Sequence, residues 1–250
     1  MSRYFIEVAY VGTNYSGFQI QENANSIQGE LENALSIFLR KPVELTGSSR
    51  TDAGVHALSN FFHFDEQTHL TSAQLYNINS ILPNDIVAVS IHQVTDTAHC
   101  RFDAISREYK YYITRNRNPF LFNQAWHYPY TVDINLLNQA ASLLLQFNDF
   151  ESFSKKKTQV KNFQCQIQIS EWVYDTEKQC LVYHVVANRF LRGMVKGLVS
   201  TMLQVGREKI NVEQFSEIIQ KRNSAYADFS APSDGLFLCK VSFKDGLLTK

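Results

Sequence analysis

The sequence predicts an α+β protein of two similar halves, each a ferredoxin-like β-α-β-β-α-β subdomain with an antiparallel sheet and helices on one face. Three observations predict it. Period-2 and period-3.6 apolar patterns succeed one another in that order over residues 1–102, and a similar series recurs over residues 103–250. With 250 residues, 44% of them hydrophobic, the chain can bury a substantial core, and no low-complexity linker interrupts it.

Tyr4, Ile6, Val8 and Tyr10 alternate with more polar neighbours and predict a half-buried first strand. A helix follows, with Asn25 or Ser26 as N-cap. Ile27, Leu31, Ala34, Leu35 and Phe38 lie on one face, and Pro42 stops it. Val43–Thr46 reads as a strand leading into an Arg50–His56 loop, with Asn60–Phe64 as its partner strand. Thr71 and Gln74 form a capping box before Leu75 and Ile78, Pro83-Asn84 turns the chain, and Ile86–Val94 is the next strand. In the second half, strand Tyr109–Thr114 precedes a helix with Ile134, Leu137, Ala141, Leu144 and Leu145 on one face. Strands Gln166–Tyr174 and Leu181–Ala187, helices at about Phe190–Val205 and Val212–Lys221, and a strand Gly235–Phe243 complete the pattern. A central cleft between the two sheets is the expected site.

Composition excludes several classes. The apolar runs are too short for a membrane span, and no signal-peptide pattern follows Met1, so the cytoplasm is the expected location. Cys100, Cys165, Cys180 and Cys239 are scattered, without a Cys-x-x-Cys pair or a histidine at zinc-ligand spacing, so neither a disulfide framework nor a metal site is expected. Net charge is zero, yet residues 1–100 carry 4 basic against 10 acidic residues and residues 101–250 carry 20 against 14. A basic face built by the second half, or a contact between domains or subunits, accounts equally for that asymmetry.

The segment Ser49-Arg50-Thr51-Asp52-Ala53-Gly54-Val55-His56 places a carboxylate beside a cation in a turn-prone, glycine-containing stretch. Local sequence alone gives Asp52 the reading of a turn aspartate bonded to its own backbone. Together with Arg101-Phe102-Asp103-Ala104, Arg107-Glu108-Tyr109-Lys110-Tyr111 and Phe190-Leu191-Arg192-Gly193-Met194-Val195-Lys196, however, the segment resembles the tRNA pseudouridine synthase A family in order and spacing. The resemblance runs from about Tyr4 to Phe243 and implies the pseudouridine synthase fold. It also implies isomerisation of uridine in the anticodon stem-loop of tRNA, at positions 38–40, by a homodimer. Asp52, in the first subdomain, then matches the catalytic nucleophile. Tyr109, in the second, matches the active-site tyrosine that stacks on the flipped uracil and takes up the C5 proton. Arg50 becomes an RNA-facing residue. Lys196 stands where the family generally has an arginine paired with the catalytic carboxylate; lysine keeps the charge and loses the bidentate fork. Phe18 likewise replaces a tryptophan, with the packing expected to survive.

The chemistry suits these residue types. A carboxylate with an ordinary pKa of about 3.9 is ionised at neutral pH and needs no separate base to attack. The reaction needs neither a redox step nor a group donor, so no cofactor and no metal are implied. Lys155, Lys156, Lys157 and Lys161, with Arg189, Arg192 and Lys196, are the expected contacts to the RNA backbone; lysine runs are otherwise solvated loops. Two alternatives use the same features. A non-catalytic RNA-binding or tRNA-folding module would share the basic second half and the repeated sheet pattern, though neither half has the aromatic run of the commonest such modules. A metal-dependent nuclease would need further carboxylates beside Asp52, and the nearest in sequence are Glu44 and Asp65.

Overall fold

The structure, a computed structural model, describes residues 1–155 and 162–248. The chain forms two compact units, Met1–Ser106 with Phe237–Lys250, and Arg107–Leu236. In chain order the first stretch holds β1 (Ser2–Tyr10), α1 (Ile27–Leu39), β2 (Thr46–Gly47), β3 (His56–Glu66), α2 (Leu75–Asn79) and β4 (Ile86–Val94). Then come β5 (Ala104–Thr114), β6 (Trp126–His127), α3 (Ile134–Leu143), β7 (Ile167–Asp175), β8 (Cys180–Ala187), α4 (Met194–Gly206) and α5 (Val212–Gln220), with β9 (Leu236–Phe243) last. The fold is mixed α+β and its strand pairing is mostly antiparallel, as the sequence predicts. Among the described residues no helix is long and apolar enough to cross a membrane.

In the first unit β1 pairs antiparallel with both β3 and β4, β2 pairs antiparallel with β3, and β9 joins β3 in parallel through His56 and Ala57. The terminal strand, read from sequence with the second half, thus belongs with the first unit. Its Phe243 packs 5.5 Å from Phe5 and edge-on to Phe61 at 5.0 Å. That contact explains a departure from the predicted alternation. Tyr4, Phe5 and Ile6 are all buried, because both faces of β1 are covered at that point. α1 starts at the Ser26 cap, whose hydroxyl accepts from Gly29 N–H. It ends at Leu39, where Arg40 turns left-handed at φ 57°, two residues before the proline expected to stop it. The Thr71–Gln74 capping box is present, on a short 3-10 turn leading into α2.

In the second unit β7, β8 and β5 form an antiparallel sheet, with β6 parallel to β5. α3 is capped by Asp133 and tightens into a 3-10 turn at Leu144–Gln146. The 3.6 period ends there, so Leu145, expected on the buried face, is half exposed. α4 begins at Met194 rather than near Phe190, because Gly193 holds a left-handed φ of 73° immediately before it. Twelve of its thirteen residues are buried, which makes it the central helix of the unit. α5 begins with an Asn211–Gln214 capping box.

Candidate active site

The Asp52 loop spans the gap between β2 and β3 and is tied down along its length. Ser48 N–H donates to the Phe61 carbonyl at 2.8 Å, and Phe18 N–H donates to the Thr51 carbonyl at 3.1 Å. Val55 N–H closes the turn onto the Asp52 carbonyl at 3.2 Å. Beneath the loop, the wholly buried Asn60 amide donates to the Ser49 carbonyl at 2.8 Å and to the Tyr10 hydroxyl at 3.2 Å. Tyr10 in turn shares a 2.8 Å hydrogen bond with the Thr51 hydroxyl. Burial pushes the Tyr10 phenol up to about 12, so it stays protonated within this network.

Two glycines let a second segment approach this loop closely. A Cβ on Gly12 would lie 2.0 Å from the Val55 carbonyl oxygen. Gly17, at φ +121°, would put one 3.1 Å from the Thr51 oxygen. Phe18, the residue in place of tryptophan, is buried and stacked on Phe62 at 4.3 Å, against a Gly47 that has no room for a side chain. The outcome is a backbone held from both sides, with Thr51 and Val55 buried, Asp52 partly accessible and Arg50 exposed. Asp52 is therefore more than a turn aspartate in a soft loop: its backbone position is set by packing and hydrogen bonds that leave little freedom.

His56, placed by sequence in the loop, opens β3 instead. It is 1% exposed, its Nδ1 accepts from Gly12 N–H at 3.2 Å, and its ring stacks on Phe237 at 4.5 Å. With Nδ1 acting as acceptor, the ring serves as a structural anchor of the loop's end. Arg50 lines a pocket of about 250 Å³ together with Phe18, Gln28, His99, Arg101 and Phe102. The Arg101-Phe102 pair, read from sequence only as part of the family motif, thus lies near a proposed site residue.

In the second unit Tyr109 stands on β5 opposite Val185 of β8, with its ring edge-on to Phe190 at 5.0 Å. It is buried, as the cross-strand reading of an alternating aromatic requires. Lys196 lies in the first turn of α4. A lysine on a helix is ordinarily on its wet side, but this one is only 9% exposed, and its Nζ donates to the Ser233 hydroxyl at 3.2 Å. Burying an ammonium is costly unless it is compensated, so the position is specified rather than incidental. Phe190, expected on the same helix, instead belongs to the turn before it. That turn carries Arg189 and the exposed Arg192, whose carbonyl accepts from Lys155 N–H at 3.0 Å. A Cβ on Gly193 would meet the Lys155 side chain at 2.9 Å, so Lys155 and the Arg192 turn are neighbours. Lys156, Lys157 and Lys161 lie outside the described residues.

Sequence spacing hid one cluster. His63, His99 and Cys100 bring ligand-type atoms within 4.8 Å of one another, the one such group among the described residues. It is hydrogen-bonded internally: His63 Nδ1 lies 3.2 Å from Cys100 Sγ, and that thiol lies 3.1 Å from the Thr46 carbonyl. Burial, aided by His99 and Arg3, lowers the His63 pKa to about 4. The cluster holds no carboxylate, and Asp65 is committed through both oxygens to Arg3 at 2.8 and 2.9 Å. The carboxylate set a metal-dependent nuclease needs is thus not assembled beside Asp52 among the described residues.

Asp52 thus lies on a rigid loop of the first unit, and Tyr109 on a strand and Lys196 on a buried helix of the second. Comparison with known proteins identifies the family. The model of a family described as tRNA pseudouridine synthase matches residues 6–103 and 140–244. Asp52 and Lys196 fall inside those segments and Tyr109 between them. The chain is 42% identical to the tRNA pseudouridine synthase A of Bacteroides thetaiotaomicron over 252 residues, covering all of this chain and 94% of the relative. It is 43% identical to that of Bacteroides fragilis over 245 residues, covering 97% of each. The protein of the same name from Staphylococcus aureus strain Newman is 33% identical over 256 residues, covering 99% of this chain and 93% of the relative. The chain belongs to the tRNA pseudouridine synthase family.

Proposed function

We propose that this protein converts uridine to pseudouridine in tRNA, with Asp52 as the nucleophile. The observation that carries the proposal is the Asp52 loop itself: an Arg-Thr-Asp-Ala-Gly-Val-His motif in a family-matched segment, held by buried polar contacts and by glycines at close approach. In the reaction the N1–C1′ bond breaks, the uracil turns, and C5 bonds to C1′. The proton lost from C5 is balanced by one gained at N1. Oxidation state is unchanged, so the residues need only bind, orient and move a proton.

In this reading Asp52 attacks the sugar-base junction and is released again once C5 has bonded to C1′, and Tyr109 packs on the extruded uracil and takes the C5 proton. Lys196 supplies positive charge for the carboxylate. Arg50, Arg189, Arg192 and Lys155 to Lys157 contact the RNA backbone. The reading extends to the anticodon stem-loop at positions 38–40 as target, to a homodimer and to the cytoplasm. It takes the units as ferredoxin-like subdomains, the first carrying the Asp52 loop and the second Tyr109 and the basic helix. The β-α-β-β-α-β order of the first unit supports that assignment. The test is tritium release from tRNA labelled at uridine C5. Release that persists in a chelator is expected, and no release from tRNA that the protein binds would contradict the proposal.

A further inference from the structure

A pocket of about 600 Å³ in the second unit is separate from every residue assigned above. Its size is that of sites for nucleotide-sized ligands. Much of its lining comes from residues 113–134, within the stretch the family model leaves unmatched. Arg115, Arg117 and Lys178 line it, and no aspartate or glutamate does. Beside these cations stand aromatic rings that the fold does not bury. Phe120 is 88% exposed and sits on a 3-10 turn, Pro119–Leu121, whose Asn118 cap accepts from the Phe120 N–H at 3.0 Å. Tyr130 is half exposed, and its orientation is set by the Arg207 guanidinium 3.6 Å from its ring centroid and by edge contact with Tyr128 at 5.1 Å.

An exposed phenylalanine on a capped turn, two arginines within five residues of it and a braced tyrosine form a surface for an anionic ligand with a flat ring. Phosphate is recognised by guanidinium forks, and every nucleobase offers a face for stacking. We propose that this pocket is a second RNA subsite, in which an unpaired nucleotide of the tRNA, away from the target uridine, stacks on Phe120 and Tyr130 while Arg115 and Arg117 hold its phosphates. The inference rests on the tRNA-modifying reading for its partner, and it adds a binding determinant that Asp52 chemistry does not require.

The test measures tRNA affinity by fluorescence anisotropy across a salt series, using the full chain, its Arg115→Gln/Arg117→Gln variant and its Phe120→Ala variant. All are also made in an Asp52→Asn background, so that binding is read without turnover. The arginine variant is expected to weaken tRNA binding at least tenfold and to reduce the slope of log affinity against log salt by about 1.5 to 2. The phenylalanine variant should weaken binding at least fivefold with the slope unchanged. Uridine monophosphate and sedimentation velocity supply the other arms. Affinities within twofold of the parent and an unaltered slope would overturn the proposal. So would loss of mononucleotide binding with tRNA binding intact, which would mark a small-molecule site, or a change in oligomeric state alone, which would mark a contact between copies. Failure of the isomerase reading would appear differently, as tRNA bound with no tritium released.

Discussion

Replacing Gly12 by alanine should disable the Asp52 loop without touching a proposed catalytic residue. Gly12 is buried, donates its N–H to His56 Nδ1 at 3.2 Å, and faces the backbone of Val55. A Cβ there would sit 2.0 Å from the Val55 oxygen, 2.7 Å from its carbonyl carbon and 3.1 Å from its nitrogen. All three are backbone atoms, so no side chain can rotate away, and the two segments must separate by about 1 Å to reach a tolerable contact. Val55 N–H is hydrogen-bonded to the Asp52 carbonyl, so the displacement passes to the carboxylate three residues earlier. A misplacement of about 1 Å at a reacting group costs roughly 100-fold in rate, and overpacking of this kind costs about 1–3 kcal/mol of stability. Single-turnover tritium release, with tRNA saturating, should therefore fall roughly 100-fold. The urea midpoint should drop measurably, and tRNA affinity should stay within about threefold. A folded Gly12→Ala protein with a rate within threefold of the parent would refute the claim that this contact positions Asp52.

Tyr109→Phe keeps the ring and its edge contact with Phe190 but removes the hydroxyl. Tritium release should slow by about 100-fold or more while tRNA affinity holds, and unchanged release would remove the hydroxyl from the proton step. His63, with its folded pKa near 4 against an ordinary 6.5, makes stability depend on pH. The unfolded chain takes up the proton first as pH falls. Stability present above about 6.5 is therefore lost progressively down to about 4, by about 2 kcal/mol between pH 7.5 and pH 5. His63→Gln should flatten that difference in urea melts, and an equally steep loss in the variant would place its origin elsewhere.

Element order was legible because local rules and tertiary structure agree. The Ser26 cap, the Thr71–Gln74 box and the strand along Leu181–Ala187 all reappear where they were read. The mistakes came where tertiary contact overrides local pattern. Phe5 lies on the polar side of the alternation, yet Phe243, more than two hundred residues later, covers it. The start of α4 is displaced by Gly193, whose left-handed φ is invisible to a count of apolar spacings. A lysine on a helix is ordinarily solvated, but a helix buried on nearly all sides leaves Lys196 no wet face. Asp52 becomes a candidate only through its motif, since an isolated turn aspartate has the same local sequence. The polar support beneath it, from Tyr10 and Asn60, joins strands far apart in sequence and carries no local signal. The His63–His99–Cys100 group was hidden for the same reason, its members being brought together by the fold.

The most direct measurement compares Asp52→Asn with the parent in single-turnover tritium release from tRNA labelled at uridine C5, with RNA affinity measured in parallel. The substitution is nearly isosteric, so the loop bonds from Phe18, Val55 and Asn60, which use backbone atoms, should be retained. Binding within about threefold of the parent with no detectable release is the predicted result. Release by the asparagine variant at a rate near that of the parent would contradict nucleophilic catalysis by Asp52.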